Sequence, residues 1–128
     1  MNIDAAVGRA CERVPGMLRG ALVLLPEGFL LGATPGAHVL DLEPMIRSAA
    51  RCLTAPTLPA LRGRDGAFTE LVFVFHDHLF VIQVSRRDPR LALVIACTRE
   101  HNLAFVLGAT RLVIGSVEEE LDLGAWGL

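Results

Sequence analysis

Apolar residues along the chain alternate between two spacings, and each change of spacing marks a new element. Ile3, Val7, Ala10, Cys11 and Val14 recur at helical spacing with Arg9, Glu12 and Arg13 turned away; Asn2 is placed to cap this first helix and Pro15-Gly16 to stop it. Leu18 to Leu25 and Phe29 to Ala33 flank Pro26-Glu27-Gly28. Proline presets φ for the turn and glycine accepts a left-handed backbone, so the segment predicts a β-hairpin. From Asp41 the helical period returns, with Leu42, Met45, Ile46, Ala49, Ala50 and Leu53 on one side and Arg47 and Arg51 on the other. Pro44 is tolerated there because its missing N–H falls in the first turn. Residues 54–67 hold Pro56, Pro59, Gly63 and Gly66 with no period, and read as a loop. A second hairpin follows, TELVFVF and LFVIQVS around a tight turn at His76-Asp77-His78. A turn at Arg86 to Arg90, with Pro89, leads into the strand LALVIACT. Asn102 then opens a last helix of about 19 residues carrying Leu103, Val106, Leu107, Val113, Ile114, Val117 and Leu121, with Gly124 as its stop.

The order is α-β-β-α-β-β-β-α, with no repeat, low-complexity segment or linker, and predicts a single α+β domain over residues 1–128. Five strands at about 4.8 Å make a sheet roughly 24 Å wide. One helix about 10 Å across covers less than half of one face. With the terminal helices sharing the other face, apolar strand surface beside the middle helix is left bare, and a second copy of that helix would fill it. Every residue of Leu71 to Phe75 is apolar, so that strand is expected to be covered on both faces.

Composition points the same way. Apolar residues make up 52% and charged residues 20%, with a mean hydropathy of +0.48, which is greasy for a globular chain of this size and favours a covering partner. The longest stretch free of charge, Gly28 to Leu40, is broken by Gly32, Pro35 and Gly36 and is shorter than the about 20 apolar residues that span a bilayer. Asp4, Arg9, Glu12 and Arg13 precede any apolar run, unlike a secretory leader, and the expected location is the cytoplasm. Net charge is −2, from 12 basic and 14 acidic residues, and no basic run exceeds Arg86-Arg87, so a nucleic-acid partner is not expected. Every basic residue is arginine, for which the codon usage of a GC-rich genome is the simplest account.

Catalytic chemistry is hard to place on this chain. Cys11, Cys52 and Cys97 are odd in number and widely spaced, as buried small hydrophobes are. His76-Asp77-His78 is the one local cluster of possible metal ligands, but it sits at a hairpin tip without the third and fourth ligands a structural zinc wants. His38 and His101 fall at element boundaries, where a solvated histidine is the default. Ser48, Ser85 and Ser116 follow no G-x-S-x-G elbow, and the absence of lysine excludes a P-loop. Gly32 to Gly36 is a turn and not a phosphate loop. Glu118-Glu119-Glu120 reads as the solvated C-terminal face of the last helix, where acidic charge opposes the helix dipole. No enzyme activity, metal or cofactor is expected.

Four features in their order resemble the Roadblock family, which includes dynein light chains and bacterial regulators of Ras-like GTPases. They are Val14-Pro15-Gly16 before a strand, Pro26-Glu27-Gly28 before Phe29-Leu30-Leu31, the amphipathic helix at 42–53, and Asn102-Leu103 after a strand and a short polar turn. The resemblance covers nearly the whole chain; the Pro-rich loop 54–67, the short first helix and the tail bearing Trp126 depart from it. It implies a five-stranded antiparallel sheet with the middle helix on one face and the terminal helices on the other. It also implies homodimers that pair middle helices and join third strands into one ten-stranded sheet. That assigns Leu42, Met45, Ile46, Ala49 and Leu53 of the helix, and Leu71, Phe73 and Phe75 of the strand, to a dimer interface. The function implied is a non-enzymatic homodimeric regulator that binds a small Ras-like GTPase and modulates its GTP hydrolysis or switching. The alternative is a dimeric scaffold or adaptor subunit of a larger assembly. A small-molecule sensor of PAS-like or profilin-like build ranks third, since it needs convergent polar groups that this aliphatic interior lacks. Arg62, Arg64, Arg86 and Arg87 lie on loops and are the candidate contacts to the GTPase. Relatives of this type are thought to reshape the GTPase's own switch loops rather than to insert an arginine.

Overall fold

Helix α1 (Ile3–Cys11) begins the fold in a computed structural model that describes residues 3–25, 27–34, 43, 44, 46–48, 50, 51 and 70–121. The strands are β1 (Met17–Leu24), β2 (Phe29–Ala33), β3 (Glu70–Val74), β4 (His78–Val84) and β5 (Leu91–Thr98), and helix α2 (Leu103–Leu121) is the last described element. Between β2 and β3, the described residues of 43–51 are helical. The strands form one antiparallel sheet in the order β2-β1-β5-β4-β3.

Local chemistry explains most boundaries. Helix α1 ends three residues before Val14 because its last turn tightens: Arg13 N–H donates to the Ala10 carbonyl and Val14 N–H to that of Cys11. Val14 is still buried, and the chain reverses at Gly16, whose φ of +67° is open to glycine without strain. Gly28, at φ +85°, makes the β1–β2 turn, and the Cγ2 of Ile46 would lie 3.1 Å from a Cβ there, so the middle helix rests on this turn. Asp4 accepts a 2.9 Å hydrogen bond from Ala33 N–H, tying the start of α1 to the end of β2.

Side-chain alternation along β5 divides the interior in two. Leu91, Leu93, Ile95 and Cys97 meet Ala6 and Val7 of α1 and Val106, Val113 and Val117 of α2. Ala92, Val94 and Ala96 point the other way, to a core with Val23, Phe80, Ile82, Val84 and Ile46 of the middle helix. The layers are therefore two terminal helices, the sheet, and the middle helix.

Two expectations change. The strand buried throughout from Leu91 to Cys97 is β5, at the centre of the sheet, and not the stretch Leu71 to Phe75. β3 lies at the sheet's edge, so Leu71, Val72 and Phe73 are half-buried while Val74 and Phe75 are 58% and 46% exposed. His78 is a strand residue paired with Thr98, so the hairpin tip is narrower than His76-Asp77-His78. The loop 54–67 and the tail bearing Trp126 lie outside the described residues. Among the described residues, no helix is long and apolar enough to cross a membrane.

Candidate functional site

The open edge of β3 carries the first surface. Phe73 lies 6.1 Å, centroid to centroid, from Phe80 on β4 and 6.5 Å from Phe75, and the Phe75 ring stacks on His78 at 4.6 Å. Phe75 N–H donates to the His78 carbonyl at 2.9 Å. Backbone donors alternate in direction along a strand, so Val72 and Val74 turn theirs away from β4, toward the open edge. Arg99 holds the hairpin tip by donating to the carbonyls of Phe75 and His76 at 3.1 and 3.2 Å. The His78 ring is thus engaged by Phe75 and by Asp77, whose carboxyl this hydrogen bond holds below the usual aspartate range. Among the described residues, no group of three or more His, Cys, Asp or Glu is placed to hold a metal ion.

The β4–β5 turn is the second surface. The Ser85 hydroxyl accepts hydrogen bonds from the N–H groups of Arg87 and Asp88. Asp88 in turn accepts from the N–H and Nε of Arg90, both at 3.0 Å, and from its Nη2 at 2.8 Å. Arg86 and Arg87 stand exposed on a turn whose backbone is already ordered. The Arg90 guanidinium holds the buried Asp88 carboxyl below its ordinary value, so this contribution is present above an unfolded aspartate pKa of about 3.9 and lost as pH falls through the lower folded value. Asp88→Ala is expected to destabilise the chain by about 1–3 kcal/mol at neutral pH, by leaving donors unpaired. That difference, read from thermal melts of both proteins, should shrink as the pH is taken below 4.

Between these surfaces and α2 lies a cleft of about 310 Å³ lined by Glu70, Gln83, Arg86, Arg111 and Glu118 among others. The Glu70 carboxylate takes a two-point hydrogen bond from Arg111, 2.8 and 2.9 Å, which lowers its pKa, and the Gln83 side chain accepts from the Thr110 hydroxyl. Glu118, expected on a solvated face, is buried in the wall of this cleft, and Glu120 pairs with Arg9 of α1. Glu119 and Glu120 keep the exposed position expected of the run, Glu120 in an ion pair with Arg9.

Comparison with protein-family models and with curated proteins finds no match. Solved structures do match. A Roadblock/LC7 domain from Streptomyces avermitilis superposes on 94% of this chain and 98% of its own length, with a TM-score of 0.76 at 17% sequence identity. The chain has the Roadblock fold. MglB from Myxococcus xanthus aligns over 94% of both chains at a TM-score of 0.73 and 15% identity. MglC from the same organism covers 94% of this chain and 99% of its own, at 0.57 and 20%.

On this Roadblock fold the candidate residues fall into three groups. Leu71, Phe73 and Phe75 share the middle-helix side of the β3 edge, and Arg86 and Arg87 share the β4–β5 turn. Ile46 is 4% exposed within its own chain, so Ile46→Asp would disturb the fold and not isolate an interface. Leu42, Met45, Ala49, Leu53, Arg62 and Arg64 lie outside the described residues, as does Cys52. Cys11 and Cys97 are buried, and burial pushes the Cys11 thiol up to about 11, which makes it unreactive. The Ser85–Asp88 bonds that set the arginine turn leave no mark in the hydropathy pattern; their signal in the sequence is a serine three residues before an aspartate.

Proposed function

We propose that the protein is a homodimeric, non-enzymatic regulator of a small Ras-like GTPase in the cytoplasm. The open β3 edge carries this reading. An edge strand with exposed Val74 and Phe75 and outward-facing backbone donors is a template for further pairing, which folded proteins leave uncovered only at risk of aggregation. A second copy related by a two-fold axis answers both needs, with antiparallel β3 strands exchanging backbone hydrogen bonds and their aromatic rows meeting across the axis. The GTPase partner comes from the Roadblock resemblance of the sequence motifs, and the shared fold supports it. The ordered turn bearing Arg86 and Arg87 supplies a cationic contact that needs no rearrangement to bind.

Phosphoryl transfer needs a positioned water and stabilised charge at the γ-phosphate, and an inserted arginine contributes about 10³–10⁵ in rate. In the proposed mode the dimer changes the conformation of the GTPase's switch loops and inserts no such residue. GTP turnover by a GTPase of the same cell, measured with and without this protein, tests it. Turnover is expected to change on addition, and Arg86→Ala and Arg87→Ala to alter that effect by less than about tenfold, far below the loss an inserted arginine would cause. If no GTPase of that cell binds in either nucleotide state, the regulator reading fails and the protein is a dimeric scaffold.

A further inference from the structure

We infer that the outer face of α2 is a second self-association surface, on which two copies of this helix pair antiparallel about a two-fold axis at position 110. Phe105 and Leu112 are 72% and 71% exposed, two turns apart on the side of α2 opposite Val106, Val113 and Val117, which enter the core. Gly108 lies on the same outer side and Gly115 on its flank, at the rim of the cleft, and a Cβ at either would meet nothing within 4 Å. Glycine is the least favourable residue inside a helix after proline, and packing within the chain gives no reason for it at either position.

The order of these residues identifies the occupant. An antiparallel pair with its axis at position 110 sets Phe105 opposite the partner copy's position 115 and Leu112 opposite position 108. Each large side chain then faces a glycine, twice over by symmetry, and the two backbones can approach closely. The same axis brings Glu119 opposite position 101, a histidine at the helix start. Both residues are exposed. Asn102 caps that start by accepting from Ala104 N–H at 2.8 Å, so the paired arrangement places the acid of one copy at the positive end of the other's helix dipole. An acidic residue that opposes the dipole of its own helix is favourable across this axis. A large–small, small–large, acid–base series that reads as its own complement fits a second copy of α2 and no unrelated partner so directly. This face lies on the opposite side of the sheet from the middle helix, so both interfaces can be made at once, and four copies complete the assembly where the two axes meet.

Sedimentation of the full chain over a concentration series into the high-micromolar range tests this. Leu112→Glu is expected to halve the mass of the largest species with the far-UV circular dichroism of the chain retained. That halving is from four copies to two where the β3 edge pairs, and from two to one where it does not, so the two interfaces are read separately. Gly108→Leu is expected to halve the mass as well, by setting leucine against leucine. Gly108→Leu combined with Leu112→Gly is expected to restore it, because each leucine again faces a glycine across the axis. Equal masses for the unaltered protein and Leu112→Glu would overturn the inference. So would a double variant that stays at half mass, since the register about position 110 would then be wrong.

Discussion

Val72→Pro is expected to leave the chain folded and to abolish pairing through the β3 edge. Phe75 N–H points at β4, and the pleat alternates donors, so the N–H that proline removes at position 72 is one directed to the open edge. Proline is tolerated on edge strands for this reason, whereas it blocks the addition of a further strand on that side. Sedimentation should show the mass contributed by edge pairing lost, with circular dichroism unchanged. Phe73→Pro is the matched control: by the same alternation its donor points inward to β4, opposite Phe80, and leaving that acceptor unpaired costs about 1–3 kcal/mol. Unequal effects on stability with loss of association in Val72→Pro identify the edge as the dimer interface. An unchanged mass in Val72→Pro would remove the β3 edge from the proposal.

Leu93→Ala is expected to destabilise the chain by about 2–5 kcal/mol, a large share of the roughly 5–15 kcal/mol that holds a domain together. Leu93 is fully buried at the middle of β5, between Leu22 on β1 and Gln83 on β4, in the core that also holds residues of both α1 and α2. Truncation there opens a cavity that neighbours anchored in three elements fill poorly, so the value is expected toward the upper half of that range. At roughly 4 °C per kcal/mol for a chain of this length, the thermal midpoint should drop on the order of 10–20 °C. The comparison must be made at one protein concentration, because association stabilises the folded state by mass action. A loss below about 1 kcal/mol would mean that the two helices and the sheet are less tightly coupled here than the packing of Leu93 requires.

Where an element is specified by residues close together in the sequence, the sequence by itself determined it. Gly28 takes a left-handed conformation in the first hairpin turn, Gly16 does so before β1, and Asn102 caps α2 through its own carboxamide. The length of α2 and the strand pairs β1–β2 and β3–β4 follow from period and turn chemistry alone. Which strand lies where is another matter. β3 and β5 are both continuous apolar runs, yet β5 sits between β1 and β4 while β3 has one neighbour and an open side. Hydropathy records that a strand is apolar, and neighbours are chosen by long-range pairing that no local window contains. The same holds for the polar residues. Glu118 and Glu119 are adjacent and identical in type, but the turn of α2 buries one in the wall of a cleft and leaves the other exposed. Phe105 and Leu112 are as apolar as Val106 and Val113, and only the docking of α2 on the sheet decides which pair enters the core. Sequence period sets the face a helix offers; the surface it packs against sets which residues remain outside, and those residues are the ones left to bind.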